Sequence, residues 1–175
     1  MTFAPRHGCR GAYKVRVPRV DGQGFGIDIV GASWRSFAVG VNVILNPYLS
    51  FNGNCEEAFR LYERVLGGNI TYIGRYKDMP GDHGLPPDSV MHVTLVVGDQ
   101  TLQGADSPPS QYQTPKGTAV ALQIKNIEEA ERVFAGLSQG GSVDMPLQET
   151  FWASRFGMFR DRFGTPWMIN CEKPV

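Results

Sequence analysis

One run of residues occurs twice in this chain. Cys55-Glu56-Glu57-Ala58-Phe59-Arg60-Leu61-Tyr62 aligns without gaps with Ile127-Glu128-Glu129-Ala130-Glu131-Arg132-Val133-Phe134, sharing Glu, Glu, Ala and Arg and closing each copy on an apolar–aromatic pair. A duplicated segment restricts the chain to architectures that use one supersecondary unit twice. Both copies carry helical periodicity: Ala58, Leu61, Tyr62 and Val65 share one face of the first, and Ala130, Val133, Phe134 and Leu137 share one face of the second. Glutamates in each first turn complement the helix dipole. Gly67-Gly68 and Gly140-Gly141 supply the left-handed cap that ends a helix.

The flanks repeat as well. Strand-like runs precede the helices at 48–51 and 119–124, and three follow each helix: 69–76, 89–97 and 101–105 in the first half, and 142–146, 156–160 and 166–171 in the second. Gly98-Asp99 marks a tight hairpin. The pattern predicts an α+β fold of two βαβββ modules, 44–106 and 117–171, within a domain spanning 43–175. A sheet with one helix-covered face leaves its other face free. Two such sheets curve into an incomplete barrel around a cleft, the usual place for a ligand.

Charge and cysteine content narrow the function classes. Seventeen basic and seventeen acidic residues cancel, so no global field draws nucleic acid or an anionic membrane. No apolar run reaches the length of a membrane span. Cys9, Cys55 and Cys171 lack metal or redox spacing and leave an odd number, which predicts a reducing, cytoplasmic setting. Residues 1–42 read differently: Arg6, Arg10, Lys14, Arg16, Arg19 and Arg35 face only Asp21 and Asp28, and glycines break any amphipathic pattern. This segment is expected to be a poorly ordered leader rather than a targeting peptide. Val41, just before the patterned region, is also what an internal GTG start codon would encode.

Four motifs in order, Asn46-Pro47-Tyr48-Leu49-Ser50-Phe51-Asn52-Gly53, Val90-Met91-His92, Gln148-Glu149-Thr150-Phe151-Trp152 and Asp161-Arg162-Phe163-Gly164-Thr165-Pro166-Trp167, resemble the signatures of PhnB-like proteins. These belong to the glyoxalase/bleomycin-resistance/dioxygenase, or vicinal-oxygen-chelate, superfamily and are also labelled 3-demethylubiquinone methyltransferase-like. The resemblance implies the vicinal-oxygen-chelate fold, a homodimer and a small-molecule cleft. It implies no single activity, because fold and function separate in such superfamilies. Methyl transfer of the usual kind needs a glycine-rich strand-to-helix turn in a parallel sheet, and no segment here supplies one. The four metal-ligand positions that the resemblance implies fall near Pro47, Gln103, Thr118 and Met168. Only Gln103 suits a hard cation, so no standard metal and no cofactor is expected.

His92 lies in a strand beside Thr94, with Met91, Val93 and Leu95 expected on the helix-facing side. Glu149 sits between two strands of the second module. An imidazole beside a carboxylate can act as general base or as half of a non-standard divalent metal site; a hydrogen-bonded structural histidine is the plain alternative. Phe151 and Trp152 are candidates for stacking on a flat ligand, Arg155 for holding an anion and Gln103 for hydrogen bonding. The expected function is small-molecule binding with His92 and the 148–152 segment converging in the cleft. The alternative is a lyase, isomerase or dioxygenase using His92 and Glu149. His83 falls in a Pro/Gly/Asp-rich loop that reads as a possible lid.

Overall fold

The computed structural model describes residues 43–174; expectations for the leader lie outside the described residues. The order is β1 (Tyr48–Phe51), α1 (Cys55–Leu66), β2 (Asn69–Arg75), a 3-10 turn (Tyr76–Asp78), β3 (Val90–Val97), β4 (Gln100–Asp106), β5 (Val120–Gln123), α2 (Ile127–Ser138), β6 (Ser142–Gln148), β7 (Ala153–Arg160) and β8 (Pro166–Glu172). Two four-stranded sheets result, ordered β1-β4-β3-β2 and β5-β8-β7-β6. In each, the module's first strand runs parallel to its last and the other neighbours are antiparallel. This is the doubled βαβββ unit and the open, curved-sheet architecture of the vicinal-oxygen-chelate fold.

The helices form where the repeat predicts, and different devices finish their ends. Asn54 makes no side-chain cap on α1; the Asp106 carboxylate at the end of β4 accepts from Cys55 N at 3.0 Å and from Val90 N at 2.8 Å. One side chain therefore ties the starts of α1 and β3 to β4 and satisfies a helix donor that has no partner within its own helix. α2 is capped locally by Asn126, whose Oδ1 accepts from Glu129 N at 3.0 Å. Gly67 ends α1 in the left-handed region at φ 70°. α2 stops on Gln139 in extended geometry, and Gly140 takes the positive φ one residue later.

Each helix lies on its own sheet, and the helices pack against each other. Phe51, Phe59, Tyr62, Phe159 and Trp167 are fully buried in one shared core with Ala58 and Ala130. Each large apolar side chain there contributes about 1.5–3 kcal/mol. Glycine permits the closest approach: a Cβ on Gly104 would lie 2.7 Å from Phe59 Cε2, and one on Gly157 would lie 3.0 Å from Phe134 Cε2.

Asp161, just after β7, joins the modules. Its oxygens accept from Tyr62 Oη (2.6 Å), Trp167 Nε1 (2.8 Å), Phe163 N (2.9 Å) and Thr165 N (3.0 Å), so α1 of the first module is bonded to the β7–β8 turn of the second.

Candidate functional site

In this arrangement one face of each sheet is free of helix among the described residues. On the first sheet, cross-strand pairing sets Tyr48, Gln103, Thr94 and Tyr72 in one row across all four strands. Directly paired residues project from the same face. The buried residues of β3 are Val90, Val93 and Leu95, which leaves His92 and Thr94 half-buried on the open face.

Met91 departs from the alternation. β2 and β3 slip register between Gly74–His92 and Arg75–Val90, which inserts Met91 as an extra residue. Its Cε lies 3.1 Å from where a Gly74 Cβ would be, so it joins the open face instead of the helix layer. A bulge reverses which side the following residue takes, and residue alternation alone cannot show it.

His92 is held at both ring nitrogens. Nδ1 is 3.3 Å from Tyr48 Oη and Nε2 is 3.1 Å from Thr94 Oγ1. The ring also lies between two phenols, with centroids 5.7 Å from Tyr48 and 6.0 Å from Tyr72. Burial, with smaller contributions from Cys55 and Tyr76, raises the Tyr48 pKa above its usual 10.0, so the phenol keeps its proton at neutral pH. Whichever tautomer His92 adopts, both of its ring nitrogens have a hydroxyl partner, because each hydroxyl can donate or accept. The chain orients hydrogen-bonding groups toward whatever lies on the open face. To act as a base, His92 would first have to release one of these partners. Thr94 stands beside His92 as the strand alternation predicts; Tyr48 and Tyr72 join them on this face, and their strand parity carries that signal in the sequence.

The other candidates stand on the second module. Glu149 pairs with Lys173 at 2.7 Å, and the lysine's hydrogen bond and charge hold its carboxyl below the usual range. Arg155 pairs with Glu131 of α2 at 2.9 Å and donates to Ser154 O. Glu149, Lys173 and Arg155 line an open groove of about 330 Å³ together with Ile127, Ser154 and Pro174. Both cations in the groove are already matched by carboxylates. Phe151 is 89% exposed and Trp152 45% exposed. Their rings stack edge-to-face at 4.5 Å, and Trp152 continues onto Phe156 of β7 at 5.4 Å. Within the chain His92 and Gln103 thus share the first sheet, Glu149, Phe151, Trp152 and Arg155 belong to the second module, and no hydrogen bond or ion pair among the described residues links the two groups.

A family model described as 3-demethylubiquinone-9 3-methyltransferase matches residues 44–170, most of the chain. The chain belongs to this family, the PhnB-like branch of the vicinal-oxygen-chelate superfamily. A relative, protein YjdN of Escherichia coli K12, is 34% identical over 140 residues, covering 74% of this chain and 95% of its own. The crystal structure of protein PA1353 from Pseudomonas aeruginosa is similar at 46% identity and TM-score 0.71, over 75% of this chain and 99% of that one. A PhnB protein from Bacillus cereus follows at 26% identity and TM-score 0.65, over 73% and 98%.

The metal positions expected for the superfamily do not fit a hard divalent ion in this PhnB-like chain. Pro47 and Thr118 lie just before β1 and β5, Gln103 is on the open face of β4, and Met168 is on β8. Among the described residues no three His, Cys, Asp or Glu side chains converge. Cys55 and Cys171 are buried free thiols; burial, then Asp106 and Glu56, push the Cys55 pKa up, so its place at a helix start does not make it reactive. The 79–88 loop is laced at its base by Tyr76 N to Ser89 O (3.1 Å), Lys77 N to Pro87 O (2.8 Å) and the Lys77–Asp88 ion pair (2.8 Å). No helix among the described residues is long and apolar enough to cross a membrane.

Proposed function

We propose that this PhnB-like protein binds a small organic molecule against the open face of its first sheet, without the standard metal and as a homodimer. The carrying observation is His92: a half-buried imidazole, bonded at both nitrogens and set between two phenols, on a sheet face that no helix of the described residues covers. Gln103 and Thr94, in the adjacent row, add donors and acceptors pointing the same way. A methyltransferase reading draws no support from this architecture, in which only β1/β4 and β5/β8 run parallel.

The homodimer reading rests on what the described residues of one chain leave uncovered. Tyr48 and Tyr72 are about half exposed on the first sheet, and Phe151 and Trp152 project beside the second. Clustered exposed aromatics favour a partner. A two-fold axis that sets the first sheet of one copy opposite the second sheet of the other covers both faces twice, and brings His92 of one copy toward the Phe151–Trp152 tip of its partner.

The test is equilibrium dialysis of the full chain against a metabolite extract, with mass spectrometry of what is retained, alongside sedimentation velocity. A retained small molecule that is lost in both His92→Ala and Gln103→Ala supports the reading. Retention unchanged by either substitution, or no retained molecule, rejects it; a monomer at micromolar concentration rejects the dimer.

A further inference from the structure

We infer that the open face of the second sheet receives the flat, polarisable part of the ligand, an aromatic ring that carries an N–H or O–H donor on its edge. The inference deepens the small-molecule reading and rests on it, but not on the part assigned to His92. Met145, Met158 and Met168 form one cross-strand row on β6, β7 and β8. Phe159 and Trp167, the sequence neighbours of Met158 and Met168, are buried in the core, so these methionines project from the opposite face. All three are half-buried. Half of the chain's six methionines therefore stand on one sheet surface outside the core. A sheet face meant only for water alternates to polar residues. Thioethers in a row make an adaptable surface that packs well against aromatic rings.

The next row supplies the polar requirement. Phe156 pairs with Asn170, and Asn170 with Gln123, across β7, β8 and β5. Asn170 Nδ2 donates to Gln123 Oε1 at 2.8 Å, while Asn170 Oδ1 is buried and has no donor among the described residues. A buried acceptor without a partner is a standing cost that an incoming donor removes. Phe156 holds the same row on β7, two residues from Met158, so a ring lying on the methionines can present an edge N–H to Oδ1.

The test uses full-length protein labelled with [methyl-13C]methionine and three probes: indole, which is flat with an edge donor; 1-methylindole, flat without one; and cyclohexylmethanol, a donor on a ring that is not aromatic. Indole is expected to shift the methyl signals of Met145, Met158 and Met168 by ring current, leaving Met79, in the 79–88 loop of the first module, unmoved. 1-Methylindole is expected to bind roughly three- to ten-fold more weakly, the worth of one neutral hydrogen bond, and cyclohexylmethanol to give no ring-current shift. Asn170→Leu should erase the difference between the two indoles while keeping the shifts; Met158→Leu, which preserves volume, should weaken both equally. Equal affinity for the two indoles in the unaltered protein overturns the donor assignment, including the case in which both amides are turned over and an acceptor is wanted. Shifts confined to Met91 on the first sheet overturn the inference and leave the small-molecule reading standing. Silence at all methionines overturns it too, and the dialysis experiment then judges the broader reading alone.

Discussion

Replacing Asp161 with Asn tests whether one carboxylate couples the two modules. Its side chain is 3% exposed and takes four donors, two on each oxygen: Phe163 N and Thr165 N on Oδ1, Tyr62 Oη and Trp167 Nε1 on Oδ2. An amide has the same shape, but one oxygen becomes NH2. If the remaining oxygen keeps the two backbone amides, the NH2 faces Tyr62 and Trp167. The Tyr62 hydroxyl can turn to accept and still donate to Thr165 Oγ1, 3.0 Å away. The indole N–H has no acceptor capacity. One stranded buried donor costs about 1–3 kcal/mol, and loss of charge on the surviving bonds adds about 1 kcal/mol. The expected destabilisation is therefore about 2–4 kcal/mol, a large part of the ~5–15 kcal/mol that holds a domain folded. Urea denaturation at pH 7, followed by circular dichroism and tryptophan fluorescence, measures it. A cycle with Tyr62→Phe should show about 1–2 kcal/mol of coupling. A loss under about 0.5 kcal/mol for Asp161→Asn, or strict additivity with Tyr62→Phe, refutes the coupling.

Three other outcomes follow from the same structure. Ala58→Leu and Ala130→Leu, both at fully buried helix positions, should each cost about 1–3 kcal/mol through overpacking; wild-type urea midpoints in both would misplace the helix faces. Burial and then Asp161 raise the Tyr62 pKa above 10.0, and burial and then Asp106 raise that of Cys55 above 9.0. The unfolded chain gives up these protons first, so their stabilisation is intact below about pH 9 and is lost as pH climbs further; urea midpoints from neutral to about pH 10.5 should fall, less steeply in Tyr62→Phe, and a flat profile contradicts this. Tyr48→Phe should leave stability within about 0.5 kcal/mol yet weaken retention of the bound molecule roughly three- to ten-fold, read by the dialysis assay.

The duplicated helix run makes the fold legible in the sequence, because each copy sits among strands in the same order. Strand ends were less visible. β7 begins at Ala153, ahead of the expected 156, because Ser154 and Arg155 carry no apolar alternation and the strand is extended only by Ala153 and Arg155 pairing with β8 across a register shift. The site was half legible. His92 could be placed on the open face from Val93 and Leu95, whereas Met91 could not, since its direction depends on a register slip against β2. Asp106 and Asp161 carry no such signal; their roles come from donors far off in sequence, such as Tyr62 for Asp161. Residues that meet only through such long-range bonds leave no periodic trace.

The stretch between the modules, 107–119, has no strand or helix of its own. Its first residue belongs to the first half, with Ser107 N bonded to Phe51 O at 2.8 Å, and its later part belongs to the second, with Arg160 Nη1 bonded to Pro115 O at 3.0 Å. A break near Ser110 would leave every ladder of both sheets intact, and the packed helices together with the Tyr62–Asp161 bond would still draw the pieces together. The polypeptide is thus built as two complementing fragments that happen to be joined. Co-expressed as separate chains cut at that point, they should reassemble as a heterodimer.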